Sequence, residues 1–195
     1  IAKDNNNKLW VGGNSPFGFL QLYDPLLKES ISSFDFQLTA IHDIQVNGNT
    51  TWVLFQDGQD NGLMKFIFDD KWEYRDSYRN YPEEIVKINC FVALDSMIFL
   101  GTNAGIYSSI LTNNLKNPFS WEKSIQEIEE PISSIDAKTD GLVFTTDNGL
   151  FEYFFLYNQL NQIEIQVELE QANNLFISGN DYWFSEGKYL YLFRN

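Results

Sequence analysis

Five segments of this chain align on one another, and their spacing restricts the available folds more than any other feature. Their anchors are Trp10, Trp52, Phe99, Val143 and Trp183, separated by 42, 47, 44 and 40 residues. Eight residues before each anchor stands an apolar residue: Ala2, Ile44, Phe91, Ile135 or Leu175. Between the two lies a turn built from Asp, Asn, Gly or Ser, such as Asn47-Gly48-Asn49 or Gly179-Asn180-Asp181. Past each anchor a second short run opens at Gly18, Gly62, Gly105, Gly149 or Lys188. Short apolar and aromatic runs bounded by such residues read as strands.

A unit of short strands and turns repeated every 40–45 residues or so is the signature of a β-propeller blade. The expected fold is therefore all-β, with blades of four antiparallel strands. The blades fall near 1–38, 39–84, 85–130, 131–170 and 171–195, the last incomplete, giving about four and a half. Propellers close at about four to eight blades. An open array leaves sheet edges that invite pairing, so the expectation is one arc of a larger propeller of seven or eight blades. Further blades or a partner chain would cover its open edges. Expected outer strands include Ile31–Phe36, Ser120–Ser124 and Gln162–Val167. Gln56–Asn61 and Asn113–Pro118 read as the longest rim loops, and Glu127–Glu130 as a single helical turn ended by Pro131.

Composition narrows the function. Aromatic residues make up 16% of the chain, which suits pleated surfaces. The formal net charge of −14 repels phosphate backbones and anionic membrane surfaces, which excludes nucleic acid as the expected partner. A protein with a basic patch remains compatible. One cysteine, Cys90, permits no internal disulfide and reads as a buried, inert thiol. No apolar run is long enough for a membrane-spanning helix.

Leu9-Trp10-Val11-Gly12-Gly13, followed by Gly18-Phe19-Leu20 and Tyr23-Asp24, resembles the two-component regulator propeller repeat. Phe99-Leu100-Gly101-Thr102-Asn103-Ala104-Gly105-Ile106-Tyr107 is a second match, and Phe144-Thr145-Thr146-Asp147-Asn148-Gly149-Leu150-Phe151 a third. The copies at Trp52 and Trp183 keep the outline without the glycine after the anchor. The motif's logic is structural. The aromatic wedges between neighbouring blades, the first Gly permits a tight turn or close backbone approach, and the Gly before the third strand supplies a positive φ. The resemblance implies a periplasmic or cell-surface module, as in sensor kinases and in surface or type IX secretion components. It implies ligand sensing or protein–protein interaction, with assembly in a surface or secretion complex as the alternative.

Function must be argued from a site rather than from a scaffold. In a propeller, the turns from second to third strand and the blade-to-blade connections share one face. On that face the connections carry Glu83, Glu84, Glu127, Glu129, Glu130, Glu168 and Glu170. Crowded together they would make an acidic mouth for a basic segment; as isolated turn charges they would be solvated. His42, Asn89, Ser133 and Asn173 recur at one inner-strand position, as ligand contacts or as internally satisfied polar groups. Phe17, Tyr78 and Tyr81 would stack on sugar rings or anchor their own loops. Asp57-Gly58-Gln59-Asp60-Asn61-Gly62 has alternating oxygens, yet lacks the Glu a calcium loop needs twelve positions along, where Phe68 stands. No metal or cofactor is expected. With one histidine and no nucleophile constellation the chain is not expected to be an enzyme; a propeller lyase or hydrolase would have to use His42.

Overall fold

The computed structural model describes residues 1–14, 17–165 and 173–194, and divides into two units. The first comprises Ile1–Tyr81 with Asn114–Ser120. It holds two sheets, β1 (Ala2–Lys3), β2 (Leu9–Gly13), β3 (Phe19–Asp24) and β4 (Glu29–Phe34), then β5 (Ala40–Asn47), β6 (Thr50–Asp57), β7 (Asp60–Phe68) and β8 (Trp72–Tyr78). The second comprises Pro82–Asn113 with Trp121–Asn195. Its third sheet is β9 (Ile88–Leu94), β10 (Met97–Thr102), β11 (Gly105–Ile110) and β12 (Glu122–Lys123). The fourth is β13 (Ser134–Lys138), β14 (Gly141–Thr146), β15 (Gly149–Phe154) and β16 (Gln159–Ile163). The fifth, among the described residues, has three strands: β17 (Asn173–Ser178), β18 (Asp181–Glu186) and β19 (Tyr189–Arg194). Each strand pairs antiparallel with the next in sequence, the meander expected of blades.

Each unit is held together by apolar contacts between facing sheets. In the first, Trp10 is fully buried and meets Phe34, Phe66 and Trp72 at ring centroids of 5.1–5.3 Å. Ile41, Ile44, Val53 and Phe55 of the second sheet close the same core. The Trp72 indole N–H donates to the buried Asp4 carboxylate at 2.9 Å, tying the second sheet to the first turn of the first. In the second unit Val92 and Phe99 pack with Ile132, Ile135 and Phe144, and Val143 packs with Leu175 and Tyr182. The anchors Trp10, Phe99 and Val143 thus all face the sheet that follows in sequence.

The glycine after the anchor is there for close approach. A Cβ on Gly12 would lie 2.5 Å from Ile41 Cγ2, and one on Gly101 would lie 2.4 Å from Cys90 Sγ. The expectation for the glycine before the third strand holds in part. Gly105 and Gly149 have φ of 97° and 140°. Gly18 and Gly62 do not; there the backbone of the preceding or following strand passes so near that any side chain collides. A Cβ on Gly62 would sit 2.3 Å from the Tyr78 carbonyl oxygen.

Four local expectations are corrected. Gln56–Asn61 is no rim loop: β6 and β7 stay paired down to Asp57 opposite Asp60, and only Gly58 and Gln59 make the turn. Gly58 takes a φ of 63°, so the Asp-Gly pair was a hairpin signal. Glu127–Glu130 forms no helical turn, because Ile125 and Ile128 are both drawn into the core and fix an irregular path. The outer strand of the third sheet shrinks to two residues, since Pro118–Ser120 form a 3₁₀ turn and Trp121 turns inward to be buried. The outer strand of the first sheet also starts and ends two residues before Ile31–Phe36, while Phe36 packs outside the strand on Phe66 and Tyr74. Cys90 is buried as expected.

Candidate functional site

Two inner strands, β5 and β9, are bulged at the recurring polar position. In β5, Ile41 pairs with Phe55 and Asp43 with Leu54, so His42 is the extra residue. In β9, Ile88 pairs with Thr102 and Cys90 with Gly101, so Asn89 is extra. A bulge re-aims one side chain out of the alternation of the strand, and the two bulged residues meet different fates. Asn89 Nδ2 donates to the Ile132 carbonyl at 2.9 Å, which spends it on the segment leading into β13. His42 is exposed, with Nε2 2.9 Å from Gln56 Oε1. Ser133 is half-buried and its N–H donates to Thr145 O at 2.8 Å. Asn173 opens β17 opposite Ser185, and its side chain lies outside the described residues. In β17 the irregularity falls after Asn173, where Asn174 takes a φ of 52° and donates to Ser185 Oγ at 2.9 Å.

Around His42 the first unit gathers a set of polar groups at the β6–β7 turn. Gln56 Nε2 donates to Gly58 O at 3.0 Å, and Gly58 N–H donates to Thr39 Oγ1 at 2.8 Å. Arg79 Nη1 meets Asp57 Oδ2 at 2.9 Å, with side chains 40% and 46% exposed. The Arg79 guanidinium also lies 4.6 Å from the Phe55 ring centroid. Two polar pairs therefore flank one strand end, His42 with Gln56 and Arg79 with Asp57; Gln56 and Asp57 are consecutive in β6, so the pairs leave it on opposite faces, with donors and acceptors still facing water. The sequence singles out His42, takes Gln56 and Asp57 only as parts of a rim loop and a calcium-like run, and does not mark Arg79. The missing signal was the hairpin at Asp57-Gly58, which brings the ends of β6 and β7 beside the end of β8.

The aromatic candidates separate. Phe17 is 76% exposed. Tyr78 is half-buried against Trp52 at 5.6 Å, and burial pushes its hydroxyl above the ordinary range. The Tyr81 hydroxyl donates to Tyr78 O at 2.8 Å and burial raises it further. Tyr78 closes β8 and Tyr81 anchors the loop after it; Phe17 alone of the three is largely exposed.

In the second unit Glu83, Glu84 and Glu127 are exposed. Glu130 accepts from Asn148 Nδ2, and Glu129 lies 4.0 Å from Lys123. Glu168 and Glu170 lie outside the described residues. Asn103, which the sequence did not single out, organises the connection into β9. Its Oδ1 accepts from Val86 and Lys87 N–H at 2.8 Å each, and its Nδ2 donates to Glu84 O at 3.1 Å. Among the described residues no group of three or more His, Cys, Asp and Glu is placed to hold a metal ion. Among them, too, no helix is long and apolar enough to cross a membrane.

No family model matches the chain and no curated protein matches it. Solved structures do. PorZ, an essential bacterial surface component of the type-IX secretion system of Porphyromonas gingivalis, aligns over 100% of this chain and 31% of its own, at TM-score 0.71 and 14% identity. The extracellular domain of BT4673 from B. thetaiotaomicron, assigned to a one component or hybrid two component system, aligns over 99% of this chain and 26% of its own, at TM-score 0.67 and 18% identity. The computationally designed Ika8 protein aligns over 100% of this chain and 57% of its own, at TM-score 0.64 and 11% identity. The chain thus spans well under two thirds of each. At these identities the likeness carries the fold alone: these sheets are β-propeller blades.

Proposed function

We propose that this chain is a non-catalytic recognition module, an arc of a longer extracytoplasmic β-propeller that senses a ligand through the β6–β7 end of its second sheet. The observation that carries this reading is the two polar pairs at one end of β6, His42 with Gln56 and Arg79 with Asp57. Such groups recognise hydroxyl-rich or peptide-like surfaces, because each offers planar, directional hydrogen bonds. The proposed ligand is of saccharide type. The likeness to an extracellular domain of a one component or hybrid two component system supports the sensing role and the extracytoplasmic location.

The likeness to PorZ favours a second reading, in which the same end docks a protein in a surface or secretion complex. Both readings share one expectation. His42→Ala combined with Arg79→Ala weakens binding at least tenfold while the thermal midpoint stays close to that of the parent, since removing exposed groups perturbs folding little. Glycan arrays distinguish the readings: retention of a saccharide that the double variant loses supports sensing. Unchanged binding in the double variant sinks both. Turnover of a bound glycan by the parent chain would sink the non-catalytic claim.

A further inference from the structure

The fifth sheet carries, on the face away from the fourth, a row whose counterparts in the first, third and fourth sheets pack on the sheet that follows. In the first sheet the row across the strands is Ala2, Trp10 and Leu22, and it packs on Ile41 and Ile44 of the second. In the third sheet Val92 and Phe99 pack with Ile135 of the fourth and with Ile132 just before it. In the fourth, Val143 packs on Leu175, while Asp136 accepts from Ile177 N–H at 2.8 Å. The matching row of the fifth sheet is Phe176, Trp183 and Leu192. Phe176 is 60% exposed, Leu192 37%, and Trp183 half-buried. The opposite face of the same sheet is buried on the fourth through Leu175, Tyr182 and Phe184.

A repeat that ends an array presents a polar outer face, because nothing stacks on it. This sheet presents a tryptophan, a phenylalanine and a leucine instead. We propose that the face is the seat of one further blade-type sheet of the same polypeptide, docked through an inner strand that carries branched aliphatic side chains, as Ile41 and Ile44 do for Trp10. The inference rests on the reading of the chain as an arc of a longer propeller, and assigns the surface through which that array continues. A second copy is a poor occupant. Each copy carries a net charge of −14, and like charge opposes association. A sheet tethered in the same polypeptide instead binds at the high effective concentration of an intramolecular contact.

Hydroxyl-radical footprinting of the intact parent protein, beside the isolated 195-residue chain, tests this. Trp10 serves as the fully buried internal standard in both. In the isolated chain, Phe176 and Trp183 are expected to react well above Trp10. In the parent, sedimenting as a monomer, they are expected to fall to the level of Trp10. Equal reactivity in parent and isolated chain overturns the proposal. So does protection that appears only in an oligomer or with a co-purified protein. Binding through the β6–β7 end is read separately on the same parent preparation with the double variant at His42 and Arg79. Loss of the footprint with retained binding therefore removes this inference and leaves the recognition role standing.

Discussion

Gly101 shows how a single missing side chain sets the distance between two blades. Its absent Cβ leaves room for Cys90 Sγ at 2.4 Å and Ile132 Cγ2 at 2.8 Å from where the carbon would stand. Gly101→Ala is expected to cost about 1–3 kcal/mol through overpacking, read as a lower urea midpoint at unchanged slope. Charge acts at the same scale, with opposite signs at two aspartates. The Lys8 ammonium hydrogen-bonded to Asp24 holds that carboxyl below its ordinary value of 3.8, helped by the Leu26 and Leu27 N–H groups. The stability from this contact is full above the unfolded value and is lost as pH falls through the depressed folded value. Lys8→Met is therefore expected to lower the urea midpoint at neutral pH, with the difference from the parent narrowing below pH of about 4. Asp136 runs the other way. Burial raises its carboxyl above the ordinary value, against the N–H groups of Ile177 and Ala137 that favour its charged form. Its folded value lies above its unfolded one, so it withdraws stability as pH rises through that interval.

Between elements, side chains of one inner strand supply the acceptors for the next. Ser134 Oγ accepts from the buried Leu175 N–H at 2.9 Å, forty-one residues away. Ser134→Ala leaves that donor unsatisfied, at a cost of about 1–3 kcal/mol. Hydrogen exchange at Leu175 is expected to quicken more than at Val53 of the first unit; equal change at both would mean a global rather than a local effect. This scale is also where the sequence was most and least legible. The inner, second and third strands follow from the spacing of Ile44, Phe91 and Ile135 before their anchors, because a core face must recur with the repeat. The outer strands were harder to place. Their residues are half solvated, as Glu29–Phe34 is, so no apolar periodicity marks their ends. Of the candidate site, His42 was legible because it recurs in register with Asn89 and Ser133. What separates them was not: Asn89 finds the Ile132 carbonyl, in the segment leading into β13, a partner forty-three residues away that no local pattern reveals. Arg79 escaped notice because it follows β8, whose length was set by pairing with an unexpectedly long β7.

For the molecule as a whole, the proposed function places recognition at one end of the second sheet. That sheet offers its own control. Gln59 is exposed at the β6–β7 turn, and Asn49 is exposed at the β5–β6 turn, at the opposite end of the same strands. Neither side chain is part of a core, so a photo-reactive residue is tolerated at both. The most direct measurement is site-specific photo-crosslinking of the intact parent in its native cells, with the probe at position 59 or 49. A discrete adduct is expected from position 59, lost on adding His42→Ala and Arg79→Ala, and none from position 49. Adducts from position 49 alone, or from both positions irrespective of the double variant, would contradict it.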